Sequence, residues 1–157
     1  MSRAIEIQAP EPIKLDDNCI SVFLAGSIEM GTAENWQKKL VEMLEDESII
    51  FFNPRRDDWD PTWEQSIDNK NFREQVEWEL DALEQSDVIV MYFDPNTKSP
   101  ISLLELGLFA RTNKMIVVCP DGFWRKGNVD IVCNKYGITQ VNDIDDLYDL
   151  LRNDSNY

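Results

Sequence analysis

The stretch Asp87-Val88-Ile89-Val90-Met91-Tyr92-Phe93 decides the fold. It is a continuous apolar run, rich in β-branched residues, and it lies between two segments with helical periodicity, 72–85 and 99–110. A strand that is apolar on both sides is typical of a parallel sheet that helices cover on both faces. We therefore interpret this stretch as a buried strand of an α/β domain.

The same alternation extends outward from this strand in both directions. Further apolar runs predict strands at 20–25, 48–52, 115–119 and 138–141. Segments with helical spacing predict the other helices, at 32–45 and 144–151. Strands that alternate with helices predict a five-stranded parallel sheet with helices on both faces. Residues 1–18 are polar and contain Pro10 and Pro12, so we expect a loose arm before a single domain over 19–157.

The composition narrows the classes of partner. The formal net charge is −15, from 30 acidic against 15 basic residues, which argues against nucleic-acid polymers and anionic membranes as partners. No stretch approaches the roughly 18 apolar residues of a membrane span, and the N-terminus lacks the apolar core of a secretory signal. The three cysteines show no CxxC spacing, so we expect buried thiols in a reducing cytoplasm rather than disulfides or zinc ligands.

Glu105 is a charge within an otherwise apolar helical segment, 101–110. A helix that is apolar all round is typically buried, and an unpaired buried carboxylate costs several kcal/mol or shifts its pKa. Ser99 fits the N-cap of this helix and Pro100 fits its first position, which puts Glu105 near the positive end of the helix dipole. Glu105 is therefore either a catalytic or ligand-binding carboxylate, or a structural acid tied into a buried network.

Glu79 is a second candidate, because helical periodicity puts it on the same face as Val76 and Leu83. The alternative is an acid at the rim that reaches water or pairs with an arginine. Two close carboxylates in a water-poor cleft push their pKa values apart, as in retaining glycosyl transfer, where they lie about 5–5.5 Å apart. The chain has no histidine and no P-loop motif, so carboxylate chemistry fits it best.

Polar residues gather after the predicted strands, in the segments 26–27, 53–56, 94–99 and 121–128. Ligands of open α/β sheets bind beyond the carboxyl ends of the strands, so we expect one cleft there. The segment 55–71 is long, polar and rich in Trp and Asp, which is typical of a functional or mobile loop.

Several of these segments resemble the nucleoside 2-deoxyribosyltransferase superfamily over about residues 20 to 140. The resemblance is carried by Phe23-Leu24-Ala25-Gly26-Ser27, Ser86-Asp87-Val88-Ile89-Val90, Ser99 through Glu105-Leu106-Gly107, and Gly127-Asn128-Val129. The Glu-Leu-Gly in its context is the most specific part. The tract Asn53-Pro54-Arg55-Arg56-Asp57-Asp58-Trp59 looks like a subgroup described as deoxyribosyltransferase-like.

The resemblance implies a flavodoxin-like (Rossmann-like) fold and a division of roles. By position, Glu105 matches the nucleophile that attacks the sugar C1′. Glu79, eight residues before Asp87, matches an acid that assists the departing base and is typically aspartate in the family. Asn128 matches an asparagine that reaches the site of a neighbouring subunit, which implies a homo-oligomer with shared active sites. The implied partners are a nucleoside or nucleotide and a free nucleobase, with no cofactor and no metal.

Two positions depart from the transferase pattern. Transferases of the family carry an aspartate at the position of Ser99, as a contact to the 5′-hydroxyl. A branch that hydrolyses 2′-deoxynucleoside 5′-monophosphates has serine there and an arginine at the position of Glu29. Arg55 or Arg56 could supply the missing cation, since arginine binds phosphate bidentately, or could pair with Asp57 and Asp58 instead.

We therefore expect a transferase, with the monophosphate hydrolase as the first alternative and a non-catalytic nucleotide-binding module as the second. A structural domain and a flavodoxin-type electron carrier are the other classes. This chain lacks the phosphate-cradling loop after the first strand that is expected of such a carrier. Trp59, Trp63 or Phe123 could stack on the base or pack as a lid, whereas Phe23, Trp36 and Tyr92 belong to the core. The expected substrate-binding residues are Gly26, Ser27, Asn53, Arg55, Asp57, Trp59, Asp94, Ser99, Ser102 and Asn128.

Overall fold

Strands and helices alternate along the chain in a computed structural model that describes residues 3–28 and 34–153. The strands are β1 (Ile5–Gln8), β2 (Ile20–Gly26), β3 (Ile49–Asn53), β4 (Val88–Tyr92), β5 (Met115–Val118) and β6 (Thr139–Val141). The helices are α1 (Trp36–Met43), α2 (Lys70–Gln85), α3 (Pro100–Phe109), α4 (Lys126–Tyr136) and α5 (Ile144–Asn153), with a short 3₁₀ turn at Ala110–Thr112.

The strands form one sheet in the order β1-β3-β2-β4-β5-β6, and every neighbouring pair is parallel. Apart from β1, this is the strand order of flavodoxin-like folds, so the predicted fold class is confirmed. The chain leaves β2 toward one edge of the sheet and then crosses to the other side at β4. The carboxyl ends of β2 and β4 therefore form the switch point at which such sheets bind ligands.

The prediction of five strands is wrong by one, because β1 lies within the segment expected to be a loose arm. Ile5 to Gln8 pair in parallel with Ile50 to Asn53. The sequence Ile-Glu-Ile-Gln alternates apolar and polar residues, as a half-buried edge strand does, and Ile7 is buried. Pro10 and Pro12 follow this strand rather than interrupt it, so they do not prevent its pairing.

Two apolar layers hold the helices to the sheet. Phe23 and Ile89 face the layer beneath α2, α3 and α4, whereas Leu24 and Val90 face the layer beneath α1 and α5. This alternation follows from the two-residue period of a strand. Because α2 and α3 cover the same face on either side of β4, the helices that carry Glu79 and Glu105 are in the same layer. No helix in the described part of the chain is long and apolar enough to cross a membrane.

Candidate active site

Glu105 lies on the inner side of α3 and is only 7% exposed. Its neighbours on the helix alternate in burial, since Leu106 and Phe109 are buried whereas Leu104 and Leu108 are exposed. The expectation that the whole helix is buried is therefore wrong, because α3 is an outer-layer helix whose outward apolar face meets solvent in the single chain. Burial raises the pKa of the Glu105 carboxyl to about 7.

Glu79 lies on α2, and the residue as a whole is partly exposed to solvent although its carboxyl group is buried. Burial of its carboxyl group raises its pKa well above the usual value, and the charge of Glu105 raises it further. A hydrogen bond from the side chain of Gln75 acts in the opposite direction. Two acids on separate helices therefore lie within electrostatic range of each other.

No ion pair involves Glu79 or Glu105 among the residues that the structure describes. The reading of these acids as halves of buried salt bridges is therefore not supported. A buried acid without a cation stays protonated more readily, which agrees with both pKa shifts. The arrangement can keep one proton on the pair near neutral pH.

Three hydroxyl groups meet at the switch point of the sheet. Ser27 Oγ lies 3.0 Å from Thr97 Oγ1 and 2.6 Å from Ser99 Oγ, and the last two oxygens are 2.7 Å apart. The backbone N–H of Asp94 donates to Ser27 Oγ at 2.8 Å. The cluster brings together the predicted residues Ser27, Asp94 and Ser99. It also contains Thr97, which the sequence did not single out.

Ser99 occupies the N-cap position of α3, as predicted, but its side chain does not cap the helix. Its backbone is left-handed, with φ 47°, and its side chain makes no capping hydrogen bond, because the hydroxyl instead meets Ser27 and Thr97. Pro100 does begin the helix. Ser102, one turn before Glu105, is buried on the same helix.

Gly26 closes β2 at the point where it touches β4. Its φ is +130°, and a Cβ at this position would lie 2.2 Å from the carbonyl oxygen of Tyr92. Only glycine allows this approach, which places Ser27 directly beside the end of β4.

A polar pocket of about 220 Å³ lies at the carboxyl ends of β1 and β3, apart from the acid pair. Three of the predicted residues line it: Asn53, Arg55 and Asp57. Its other lining residues are Glu6, Gln8, Asn35 and Lys38. Asn53 Nδ2 donates to Glu6 Oε2 at 3.0 Å, and Arg55 Nη1 donates to the carbonyl of Glu34 at 3.0 Å. Neither Glu79 nor Glu105 is among the residues that line this pocket.

The two regions meet at Asp94 and the N-terminal end of α1. The backbone N–H of Glu34 donates to Asp94 Oδ2 at 3.2 Å, while the carbonyl of the same residue accepts from Arg55. Burial lowers the pKa of the Arg55 guanidinium, and the charge of Asp57 opposes that effect. Glu29, the residue that argued against a phosphate, lies outside the described residues.

Arg56 anchors the loop between β3 and α2. It binds Asp58 through two hydrogen bonds of 2.8 and 2.9 Å, and its guanidinium lies 5.2 Å from the ring centroid of Trp63. Trp63 meets Trp59 edge to face at 4.9 Å. These tryptophans pack as part of the loop.

The other aromatic candidates pack in the core, whereas Asn128 lies at the surface. Phe123 is buried, and its ring centroid lies 4.8 Å from that of Phe93, so it packs in the core. Phe23 and Trp36 are buried and Tyr92 packs against the α1–α5 layer, as expected. Asn128 is exposed in the first turn of α4.

The cysteines are free thiols. Cys119 and Cys133 are buried, and burial raises the pKa of these thiols to about 11 and about 12. Over residues 3–28 and 34–153 there is no group of three or more His, Cys, Asp or Glu residues that could hold a metal ion.

Comparison with known proteins places the chain in a family. A crystal structure of a conserved protein from Enterococcus faecalis V583 has the same fold, with a TM-score of 0.60 and 14% sequence identity over 86% of this chain and 98% of that one. No curated protein matches the chain. The model of the family "nucleoside 2-deoxyribosyltransferase like" matches residues 19–123. The chain therefore belongs to the nucleoside 2-deoxyribosyltransferase-like family.

Proposed function

We propose that the protein cleaves the N-glycosidic bond of 2′-deoxynucleosides and transfers the deoxyribosyl group to another nucleobase through a covalent intermediate on Glu105. The observation that carries the proposal is the pair of acids Glu79 and Glu105, on the helices that precede and follow β4. The pKa values of both carboxyl groups are raised, and the charge of Glu105 contributes to the raised pKa of Glu79. Such a pair can supply a nucleophile and a general acid at the same time.

The electrostatics favour one division of roles. The charge of Glu105 adds to the effect of burial on the pKa of Glu79, so Glu105 is the first of the two to ionise. Near neutral pH, Glu105 then carries the negative charge that a nucleophile needs. Glu79 keeps the proton that a departing base needs.

In the first step, a carboxylate oxygen of Glu105 bonds to C1′ while the bond from C1′ to the base nitrogen breaks. The electron pair of that bond goes to the base, which takes the proton of Glu79. In the second step, a nitrogen of another base attacks C1′, its proton returns to Glu79, and Glu105 departs as a carboxylate. Two displacements at C1′ retain its configuration. Water in place of the second base gives hydrolysis.

Hydrolysis of 2′-deoxynucleoside 5′-monophosphates is the alternative, and the hydroxyl cluster favours it. Hydroxyl donors lie beside the Asp94 amide, on Ser27, Thr97 and Ser99. The aspartate that transferases of the family carry at the position of Ser99 would instead place a carboxylate there, which would repel a phosphate. A module that binds nucleotides without cleaving them is the remaining alternative.

A homo-oligomer with shared sites is also part of the proposal. The outward face of α3 presents Ile101, Leu104 and Leu108, each 56–60% exposed, and no charged side chain lies among them. Two copies that each carry a charge of −15 repel each other, and an uncharged contact surface avoids adding close like-charge pairs to that repulsion. A partner docked on this face would cover the outer side of the helix whose inner side carries Glu105. The family resemblance implies that the partner's Asn128 contributes to the site.

A chromatographic assay tests the proposal with deoxyadenosine, deoxycytidine and their 5′-monophosphates, each with and without a second free base. Glu105→Ala is compared with Glu84→Ala, which removes an exposed acid of α2. A new nucleoside that forms only with the second base supports the transferase. Release of base from monophosphates alone supports the hydrolase instead. Absence of turnover in every mixture, with the parent equal to Glu105→Ala, contradicts both.

A further inference from the structure

The polar pocket beside β1 is a feature that the proposed reaction does not use. Its lining comes from β1, from the N-terminal end of α1, and from the end of β3 with the loop after it: Glu6, Gln8, Asn35, Lys38, Asn53, Arg55 and Asp57. Its volume of about 220 Å³ is below the range of about 300–1,000 Å³ that is typical for drug-sized ligands, so it suits a smaller molecule.

The pocket lies on the face of the sheet opposite to the acid pair. Ile7 of β1 packs in the layer beneath α2 and α3, and side chains alternate along a strand, so Glu6 and Gln8 face the side of α1. Asn53 follows Phe52, which packs in the same layer as Ile7, and therefore also faces the side of α1. A ligand in this pocket would thus be separate from the substrate of the acid pair.

Opposite charges line the pocket without meeting each other. Glu6 projects from β1 and Lys38 from α1, on two different walls, and Asp57 lies in the loop after β3. Among the residues that the structure describes, no ion pair involves any of these three side chains. The pocket therefore separates the acid of one wall from the cation of the other. A ligand that carries both charges can contact each wall through the opposite charge.

The floor of the pocket holds its charged groups in place. Asn53 is only 3% exposed, its Nδ2 donates to Glu6 Oε2 at 3.0 Å, and its Oδ1 accepts from the backbone N–H of Arg55 at 3.0 Å. The guanidinium of Arg55 is oriented by the carbonyl of Glu34, which accepts from Nη1 at 3.0 Å. Groups that are held before a ligand arrives lose less freedom when it binds, which favours binding.

The chemistry of the lining argues against other classes of ligand. Among the described residues that line the pocket, none is apolar or aromatic, so a nucleobase would have no surface to stack on. Two acids would repel a phosphate, and two cations would repel a polyamine. The amides of Gln8, Asn35 and Asn53 carry both donors and acceptors, which suit an uncharged polar group.

We propose that this pocket binds a small zwitterion, an α-amino acid with a polar side chain, whose ammonium group contacts Glu6 and whose carboxylate contacts Lys38. Arg55 and Asp57 are the second cation and the second acid of the site. The acid pair takes no part in this binding, so the ligand can be tested whatever reaction the protein catalyses.

An NMR titration of the full chain tests the site, because the side-chain NH₂ groups of Gln8, Asn35 and Asn53 lie in its lining. The probes are L-asparagine, which carries both charges, succinamate, which lacks the ammonium group, and aspartic acid diamide, which lacks the carboxylate. We expect L-asparagine to shift these NH₂ signals to saturation at concentrations up to about 50 mM. Each probe with a single charge should bind at least about tenfold more weakly, since hydrogen bonds between charged groups are the strong ones.

Two variants assign the charges to the two walls. Glu6→Gln should weaken binding of L-asparagine at least about tenfold and leave succinamate unchanged, because succinamate has no group that needs the acid. Lys38→Gln should weaken L-asparagine to a similar extent and leave the diamide unchanged. The matched control is Lys39→Gln, which changes the adjacent exposed lysine outside the pocket and should alter neither probe.

The backbone amide signals of the same spectra show that each variant is folded. Absence of a saturable shift with L-asparagine would mean that the pocket holds only water, and would overturn the inference. Equal affinity for all three probes, or unchanged binding of L-asparagine in both Glu6→Gln and Lys38→Gln, would overturn it as well.

Discussion

At the scale of single residues, Glu105 combines a cost in stability with a gain in reactivity. Its pKa rises from an ordinary value near 4.5 in the unfolded chain to about 7 in the fold, so the folded state disfavours the ionised form. The sign follows directly. The penalty is absent below the unfolded pKa, grows as the pH rises, and is complete above the folded pKa.

Glu105→Gln should therefore stabilise the protein in a pH-dependent way, because glutamine is uncharged and has nearly the same shape. We expect the free energy of unfolding to rise by about 1–3 kcal/mol at pH 8 and by much less at pH 5, just above the unfolded pKa. Urea denaturation at the two pH values measures this difference. The same variant should lose turnover. An equal effect at both pH values would show that burial of the charge is not the cause.

Some candidate site residues can be recognised in the sequence because they break a pattern. Glu105 interrupts an apolar helix and Glu79 falls on an inward face, so periodicity alone selects them. Thr97 breaks no pattern, since a polar residue in a loop is ordinary. Its place in the hydroxyl cluster depends on contacts with Ser27 and Ser99, and the contact with Ser27 joins segments that are distant in the sequence.

At the scale of elements, the contact between β2 and β4 depends on Gly26. Its positive φ of +130° disfavours any other residue, and a Cβ at this position would lie only 2.2 Å from the carbonyl oxygen of Tyr92. This contact sets the position of Ser27 and hence of the hydroxyl cluster.

Gly26→Ala should destabilise the fold by about 2 kcal/mol or more, since it combines a disfavoured φ with a clash against backbone. The denaturation midpoint in urea measures this change. Gly127→Ala is the matched control, because a Cβ there meets no atom within 4 Å and alanine favours a helix. Equal midpoints for the two variants would contradict the argument.

Prediction of the elements succeeded where an apolar run is long and failed at the edges. The runs that form β2 and β4 are buried on both faces, so they stand out against the polar chain. β1 is short and alternates, and nearby prolines made it resemble an arm. Side-chain capping at the N-terminus of a helix is equally hard to predict. The Ser99 hydroxyl can either cap α3 or bind two other hydroxyl groups, and the structure has the second arrangement.

At the scale of the whole molecule, the outer face of α3 is unusual for a chain so rich in charge. The sequence could not separate a buried helix from one that meets a partner, because both are apolar on every side. The fold shows that α3 is not buried all round within the chain, since Leu104 and Leu108 are exposed on its outer face.

Leu104→Glu should prevent association of copies, because it places a charge on an otherwise uncharged face. We expect the species seen by sedimentation velocity to change from an oligomer to a monomer, with a loss of at least about tenfold in turnover if sites are shared. Leu15→Glu, which changes an exposed leucine outside the helix, should alter neither property. A parent that is already monomeric and active at every concentration would contradict a shared site.

The tryptophans of the long loop provide an optical reporter of ligand binding. Trp63 lies against both Trp59 and the Arg56 guanidinium, and the same guanidinium donates a hydrogen bond to the side chain of Gln75 on α2. A ligand that displaces Arg56 or Gln75 will change the surroundings of the Trp63 indole and hence its fluorescence emission. Affinity can then be measured without a label in variants such as Glu105→Ala, so that recognition of the nucleoside is observed separately from its cleavage.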